Sequence, residues 1–200
     1  ILGLDIKSII FEGKDEDILP TEIAQPSIYI ISAMYFEKFK QMEKKFDVVA
    51  GHSLGEYSAL YAAGVISFED GLNLVRKRGL SMSLENDQGN MYAVMGVPLE
   101  EITKHVEVCN QRVVIANINS KNQIVISGYT YETTKVAEKL SLIEDAKVKR
   151  LNVSSAFHSP LMLGAKDIME KEIQLIEFSN PISDVIPNVL GYATKDITLI

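Results

Sequence analysis

Apolar positions recur along this chain at two spacings, and the switches between them mark out its elements. From Pro26 to Lys45 the spacing is helical, with Ile28, Ile31, Met34, Tyr35 and Phe39 recurring before a charged end. Phe46-Asp47-Val48-Val49-Ala50 reads as a short buried strand that runs into Gly51. Gly55 to Ala63 favours helix, and Gly64 suits the position just past its end. Ser67-Phe68-Glu69-Asp70 has the form of a capping box opening a helix that reaches about Leu84, with Leu72, Val75, Gly79 and Met82 on one face. Gln88-Gly89-Asn90 reads as a loop.

Beyond that loop the pattern predicts strand Met91 to Val97, helix Leu99 to Cys109, strands Arg112 to Ile118 and Gln123 to Ser127, helix Tyr131 to Ile143 and strand Ala146 to Val153. This βαββαβ order is that of the ferredoxin-like split βαβ unit, for which roughly 60 residues suffice. A helix from Pro160 to Ile176 follows, with Leu161, Ala165, Ile168, Met169 and Ile176 as its buried stripe, and Asp184 to Leu190 reads as a last strand. The expected fold is α/β: an α/β-hydrolase-like large subdomain of residues 1–88 and 154–200, carrying an inserted ferredoxin-like (βαββαβ) small subdomain at 89–153. Clefts between subdomains are where substrates bind.

Composition narrows the function. With 200 residues, 46% of them hydrophobic, the chain can bury a real core. A net charge of -7 gives no basic footprint, which argues against nucleic acid and anionic membrane as main partners. Cys109 is the only cysteine, so there is no intrachain disulfide and no thiolate cluster for a metal, and a reducing cytosol is implied. No apolar run is long enough to span a bilayer and no signal peptide opens the chain, so we expect a cytoplasmic protein. The start at Ile1 and the apolar finish at Ile200 lead us to expect further chain at both ends.

The chemistry centres on Gly51-His52-Ser53-Leu54-Gly55, a glycine-flanked serine between strand and helix. That is the arrangement of a nucleophile elbow, whose sharp turn exposes the hydroxyl and aims the following amides at an oxyanion. Small flanking residues let strand and helix backbones nearly touch. The chain has three histidines to serve as base. His105 sits in a charged helix and reads as a surface residue, and His52 adjoins the serine on extended backbone. His158, in Ser155-Ala156-Phe157-His158-Ser159-Pro160, precedes a helix that Pro160 would open, and the positive helix end would keep it neutral. A capping or packing histidine is the other reading there. Arg78 shares a helix face with Leu74 and Met82. Spacing alone leaves it between a helix-end charge and a cation that forks onto a carboxylate.

At these residues the sequence resembles the malonyl-CoA:acyl carrier protein transacylase family, including the acyltransferase domains of polyketide synthases. The resemblance covers most of the chain. It rests on Ala24-Gln25-Pro26, the stretch from Gly51 to Ala59, Arg78-Gly79, Asn117-Ile118-Asn119 with Gln123 to Gly128, and Ala156-Phe157-His158-Ser159-Pro160-Leu161-Met162. It implies catalysis by Ser53 and His158 and transfer of malonyl from malonyl-CoA to the phosphopantetheine thiol of an acyl carrier protein, with no bound cofactor and no metal. It also implies substrate binding at Arg78, Leu54, His52, Phe157 and Gln25. Arg78 would take the malonate carboxylate, while Leu54 and Phe157 match the malonyl-selective pattern, a preference worth about 1 to 3 kcal/mol. The family's glycine- and glutamine-rich N-terminal segment and its later histidine-orienting segment are not seen in these 200 residues. A hydrolase built from the same parts is the first alternative, and the second is a non-catalytic docking or scaffold domain, whose sequence should have lost Ser53 or His158, both of which are present. An uncharged acyl chain has no use for a buried cation, however, and Asp70, Asp87 and Asp145 read as caps or turns rather than a triad acid.

Overall fold

Proline has no N–H, so at the sixth position of a helix it leaves the carbonyl four residues back without its partner. The sequence pattern therefore starts a helix at Pro26. In the computed structural model, which describes residues 2–85, 88–153 and 155–200, the helix passes through it. Two short helices come first, α1 (Ile6–Glu12) and α2 (Asp15–Ile18), neither of which buries a residue. The long helix α3 (Thr21–Gln41) then contains Pro26. Arg76 Nη1 donates to the Glu22 carbonyl at 2.7 Å, the one Pro26 cannot satisfy, and so replaces the hydrogen bond that the proline removes. The face that α3 buries is Thr21, Gln25, Pro26, Ser27, Tyr29 and Ala33. Ile28, Met34 and Tyr35 of the apolar stripe are exposed.

Strand β1 (Val48–Ala50) leads through Gly51 to helix α4 (Gly55–Ala62), which is followed by α5 (Phe68–Leu84). Ser67 caps α5: the Asp70 N–H donates to Ser67 Oγ at 3.0 Å, while the Asp70 carboxylate accepts from that hydroxyl at 2.7 Å rather than from the Ser67 N–H of a full capping box. Next come β2 (Gly89–Met95), α6 (Leu99–Glu107), β3 (Val113–Ser120), β4 (Gln123–Tyr129), α7 (Thr130–Leu140) and β5 (Lys147–Arg150). A 3₁₀ turn at Pro160–Met162 runs into α8 (Leu163–Ile173), so the last long helix is shorter than its pattern predicts. Ala165 and Met169 of its stripe are buried, whereas Ile168 is not. Strand β6 (Asp184–Ile186) ends before Pro187. The protein is a mixed α/β fold.

The chain divides into two compact units, residues 1–80 with 169–200, and residues 81–168. In the first unit β1 and β6 pair in parallel, with Ala50 opposite Ile186. One apolar cluster gathers Tyr29, Leu54, Leu72 and Val75, and a second gathers Ala63, Val65, Ile66 and Val185. Gly79 lets α3 and α5 approach, because a Cβ there would lie 2.8 Å from Glu22 Cα.

In the second unit four antiparallel strands lie in the order β3-β4-β2-β5. Helices α6 and α7 supply Ile102, Val106, Val136, Ala137 and Leu140 to a core closed by Val94, Val113, Ile124 and Ile126 of the sheet. Gly89 and Asn90, expected in a loop, belong to β2 and pair with Tyr129 and Gly128. A side chain at Gly89 would overlap Ala156 and Leu161, so glycine here marks close packing rather than a turn. Asp145 sits in a turn with φ 64°, and Asp87 lies outside the described residues. Among the described residues no helix is long and apolar enough to cross a membrane.

Candidate active site

The β1–α4 turn places Ser53 beyond the carboxyl end of a parallel strand, where ligands of open α/β sheets are held. Ser53 has φ 51°, the left-handed region that costs a non-glycine residue free energy unless its surroundings enforce it. The backbone is thus sharply turned at the serine, as the elbow arrangement leads one to expect. Gly51 makes the turn possible, since a Cβ there would overlap the Gly55 carbonyl. Gly55 itself has open space, so only the first of the two flanking glycines is required by packing.

Hydrogen bonds fix this turn from three directions. The Ser53 N–H donates to Asn188 Oδ1 at 2.8 Å, and the Asn188 side-chain amide donates to the Gly51 carbonyl at 2.6 Å. The Gly55, Glu56 and Tyr57 N–H groups donate to the His52, Ser53 and Leu54 carbonyls. The Leu54 amide lies at the helix end, where the first N–H groups lack intrahelical acceptors. Its side chain is packed into the cluster with Tyr29, Leu72 and Val75, which anchors the turn to the core. His52 is exposed and contributes its carbonyl to the turn.

Arg78 reaches the serine from α5. Its Nη2 donates to Ser53 Oγ at 3.0 Å, and its Nη1 donates to Gln25 Oε1 at 2.6 Å. Gln25 is buried on α3, and its Nε2 donates to Thr21 Oγ1 at 2.8 Å, which fixes which way its amide faces. Burial pushes the Arg78 pKa down, opposed by the charges of Tyr57 and Glu56, but a guanidinium so basic keeps its proton. Glu56 is raised by burial, against the lowering effects of the Asn188 N–H, which donates to Glu56 Oε1 at 3.0 Å, and of Arg78. Burial also raises Tyr57.

In the second unit His158 occupies a tight loop pinned on both sides. The Ser155 hydroxyl donates to the Glu85 carbonyl. Ser159 Oγ donates to the Ala156 carbonyl at 2.6 Å and accepts from the Leu161 N–H at 3.2 Å, so Ser159 caps the 3₁₀ turn that Pro160 opens. His158 is exposed at φ 58°, and Phe157 beside it is half-buried. Ser53 and His158 are both non-glycine residues held in the left-handed region. His105 lies on α6 beside Glu101, at 3.6 Å. Among the described residues no group of three His, Cys, Asp or Glu side chains could hold a metal ion.

The structure thus brings Ser53, Arg78 and Gln25 together. Sequence reasoning missed Asn188 and the part played by Glu56. Glu56 lies inside the quoted serine motif, whereas Asn188, between a proline and Gly191, carries only the signal of an ordinary turn residue.

The family model of the acyl transferase domain matches residues 1–189. The chain belongs to that family. Within it the chain is 44% identical over 192 residues to the Bacillus subtilis polyketide biosynthesis malonyl CoA-acyl carrier protein transacylase PksC, covering 94% of this chain and 66% of PksC. The B. subtilis malonyl CoA-acyl carrier protein transacylase is 38% identical over 194 residues, covering 94% of this chain and 61% of that protein. This acyl transferase domain chain therefore spans less than two thirds of the length of either relative. Among solved structures, the malonyl CoA-acyl carrier protein transacylase from Coxiella burnetii superposes with a TM-score of 0.93 at 33% identity, covering 99% of this chain and 64% of that one. A malonyl-transacylase solved in complex with a type II polyketide synthase acyl-carrier protein also gives 0.93, at 31% identity, with 99% and 66% covered.

Proposed function

We propose that this chain is the core of an acyltransferase that moves malonyl from malonyl-CoA to the phosphopantetheine thiol of an acyl carrier protein through a malonyl-Ser53 intermediate. The observation that carries this reading is the Arg78 guanidinium at 3.0 Å from Ser53 Oγ. A cation this close to the nucleophile suits an acyl group that bears its own carboxylate, which a guanidinium binds through two parallel hydrogen bonds. Gln25 supports the same role by fixing one edge of the guanidinium while the other faces the serine.

In the proposed sequence Ser53 Oγ attacks the thioester carbonyl and passes its proton to His158, which returns a proton to the departing CoA thiolate. The carrier thiol then attacks the malonyl-serine ester, His158 takes the thiol proton, and Ser53 recovers its own. The Leu54 N–H is our candidate donor to the oxyanion formed in both steps. His52 and Phe157 are assigned to the walls of the acyl site, with Phe157 favouring malonyl over its 2-methyl homologue. Leu54 contributes through its backbone and its anchoring side chain. No resident cofactor or metal takes part, and the expected location is the cytoplasm.

The strand order of the second unit supports a finer architecture, an inserted ferredoxin-like subdomain at 89–153 within an α/β-hydrolase-like subdomain of 1–88 and 154–200. The relatives named as malonyl transacylases support the transfer reading over hydrolysis. The test is Arg78→Ala in the full-length protein, comparing Ser53 loading from malonyl-CoA with loading from acetyl-CoA. Malonyl loading should fall about a hundredfold, as loss of a charged hydrogen-bonded pair implies, while acetyl loading changes little. Equal loss for both substrates would remove the carboxylate from the account.

A further inference from the structure

Asn188 belongs to none of the motifs that carry the family resemblance, yet it touches the nucleophilic turn at three points. Its Oδ1 accepts the Ser53 N–H at 2.8 Å, its Nδ2 donates to the Gly51 carbonyl at 2.6 Å, and its backbone N–H donates to Glu56 Oε1 at 3.0 Å. Strand register explains how a residue so distant in sequence arrives there. β1 and β6 are parallel and in step up to Ala50 and Ile186, so the chain just beyond β6 lies level with the turn just beyond β1. The Gly191 and Leu190 N–H groups both donate to the Pro187 carbonyl, which closes a turn around Asn188.

The two side-chain bonds have a specific effect. They span His52 and tie the residues on either side of it to one planar amide, which fixes the two peptide planes that flank His52, the second of which leads directly into the left-handed Ser53. That conformation is unfavourable for serine and persists only where its surroundings over-determine it. Only a primary amide offers an acceptor and a donor from one rigid plane at this spacing. We propose that Asn188 is a positioning residue for Ser53, its side-chain amide locking the turn that aims the hydroxyl while Glu56 holds the Asn188 backbone. This rests on the reading of Ser53 as the nucleophile.

The test uses the full-length protein with N188A and N188D. Two rates are measured: sulfonylation of Ser53 by phenylmethylsulfonyl fluoride, which needs neither malonate nor carrier, and single-turnover acylation by malonyl-CoA over a range of concentrations. N188A should slow both about tenfold, the worth of one to two net hydrogen bonds, and leave the half-saturating malonyl-CoA concentration within about twofold. N188D keeps the shape and the acceptor but sets an oxygen against the Gly51 carbonyl. Protonation of the introduced carboxyl restores a donor, so the sulfonylation rate of N188D relative to wild type should climb as pH falls from about 6 to about 4, the range in which an aspartate carboxyl takes up its proton. Tyr57, Arg78 and His158 are common to both proteins, and Glu56, whose titration a neighbouring carboxylate would shift, is removed from the ratio by making both measurements in a Glu56→Gln background.

An unchanged sulfonylation rate in N188A overturns the proposal, and so does a flat pH ratio for N188D, which decides the matter should N188A fold poorly. If wild type takes no malonyl while sulfonylation still depends on Asn188, the malonyl reading fails and the positioning role stands.

Discussion

Two glycines flank Ser53, and their surroundings give them different jobs. A methyl group at Gly51 would overlap the Gly55 backbone, which cannot yield without moving the start of α4, whereas at Gly55 it would meet nothing within 4 Å. Gly51→Ala should therefore cost about 2 kcal/mol of stability and most of the Ser53 reactivity, while Gly55→Ala should stay within about 0.5 kcal/mol of wild type. Thermal melts and sulfonyl fluoride labelling check both. Glu56 makes a second prediction. Its folded-state pKa is raised, chiefly by burial, so the folded protein holds this proton more tightly than the unfolded chain does. The ionised carboxylate then opposes folding above the folded pKa, and the opposition fades as pH falls through it. Glu56→Gln, which retains an acceptor for the Asn188 N–H, should melt above wild type at neutral pH, with the gap closing at acidic pH. A lower melting temperature at neutral pH would mean that Asn188 and Arg78 outweigh burial. At this scale the sharp turn at Ser53 was legible from its flanking glycines alone. Arg78 needed the family resemblance, because helical spacing says which face a residue shares but not what lies opposite. Asn188 left no signal, since the strand pairing that delivers it is not a local property.

Elements show the same division between local and remote causes. The Ser67 cap and the alternation of strand and helix periods from β2 to β5 are local, and they were readable to within a few residues. The start of α3 was not, because the group that satisfies the carbonyl freed by Pro26 comes from Arg76 on α5. Nor was its buried face. Gln25, Ser27 and Thr21 are buried in place of the apolar stripe, and Gln25 and Ser27 have hydrogen-bond partners there that no hydropathy pattern reveals. The α3–α5 contact sets Gln25 against Arg78, the residue proposed to take the malonate carboxylate. Gly79→Ala would press a Cβ onto the α3 backbone near Thr21 and Glu22. We expect a loss of about 2 kcal/mol, roughly 6 °C in melting temperature, and a disproportionate fall in malonyl loading relative to acetyl loading. A variant that melts normally would show that the two helices can separate without strain.

At the scale of the whole molecule, 94% of the chain aligns with the transacylase PksC, and the fold follows that of solved malonyl transacylases with TM-scores of 0.93. The first unit brings a strained serine, a guanidinium and an amide clamp to one turn. The second holds a histidine in a capped loop of its own. Intact-mass measurement of the full-length protein after exposure to malonyl-CoA tests the proposed malonyl transfer most directly. A malonyl adduct should appear on Ser53, be absent in Ser53→Ala, and pass to phosphopantetheinylated acyl carrier protein when that is added. An adduct that persists in Ser53→Ala, or one lost to water with the carrier left unloaded, would contradict it.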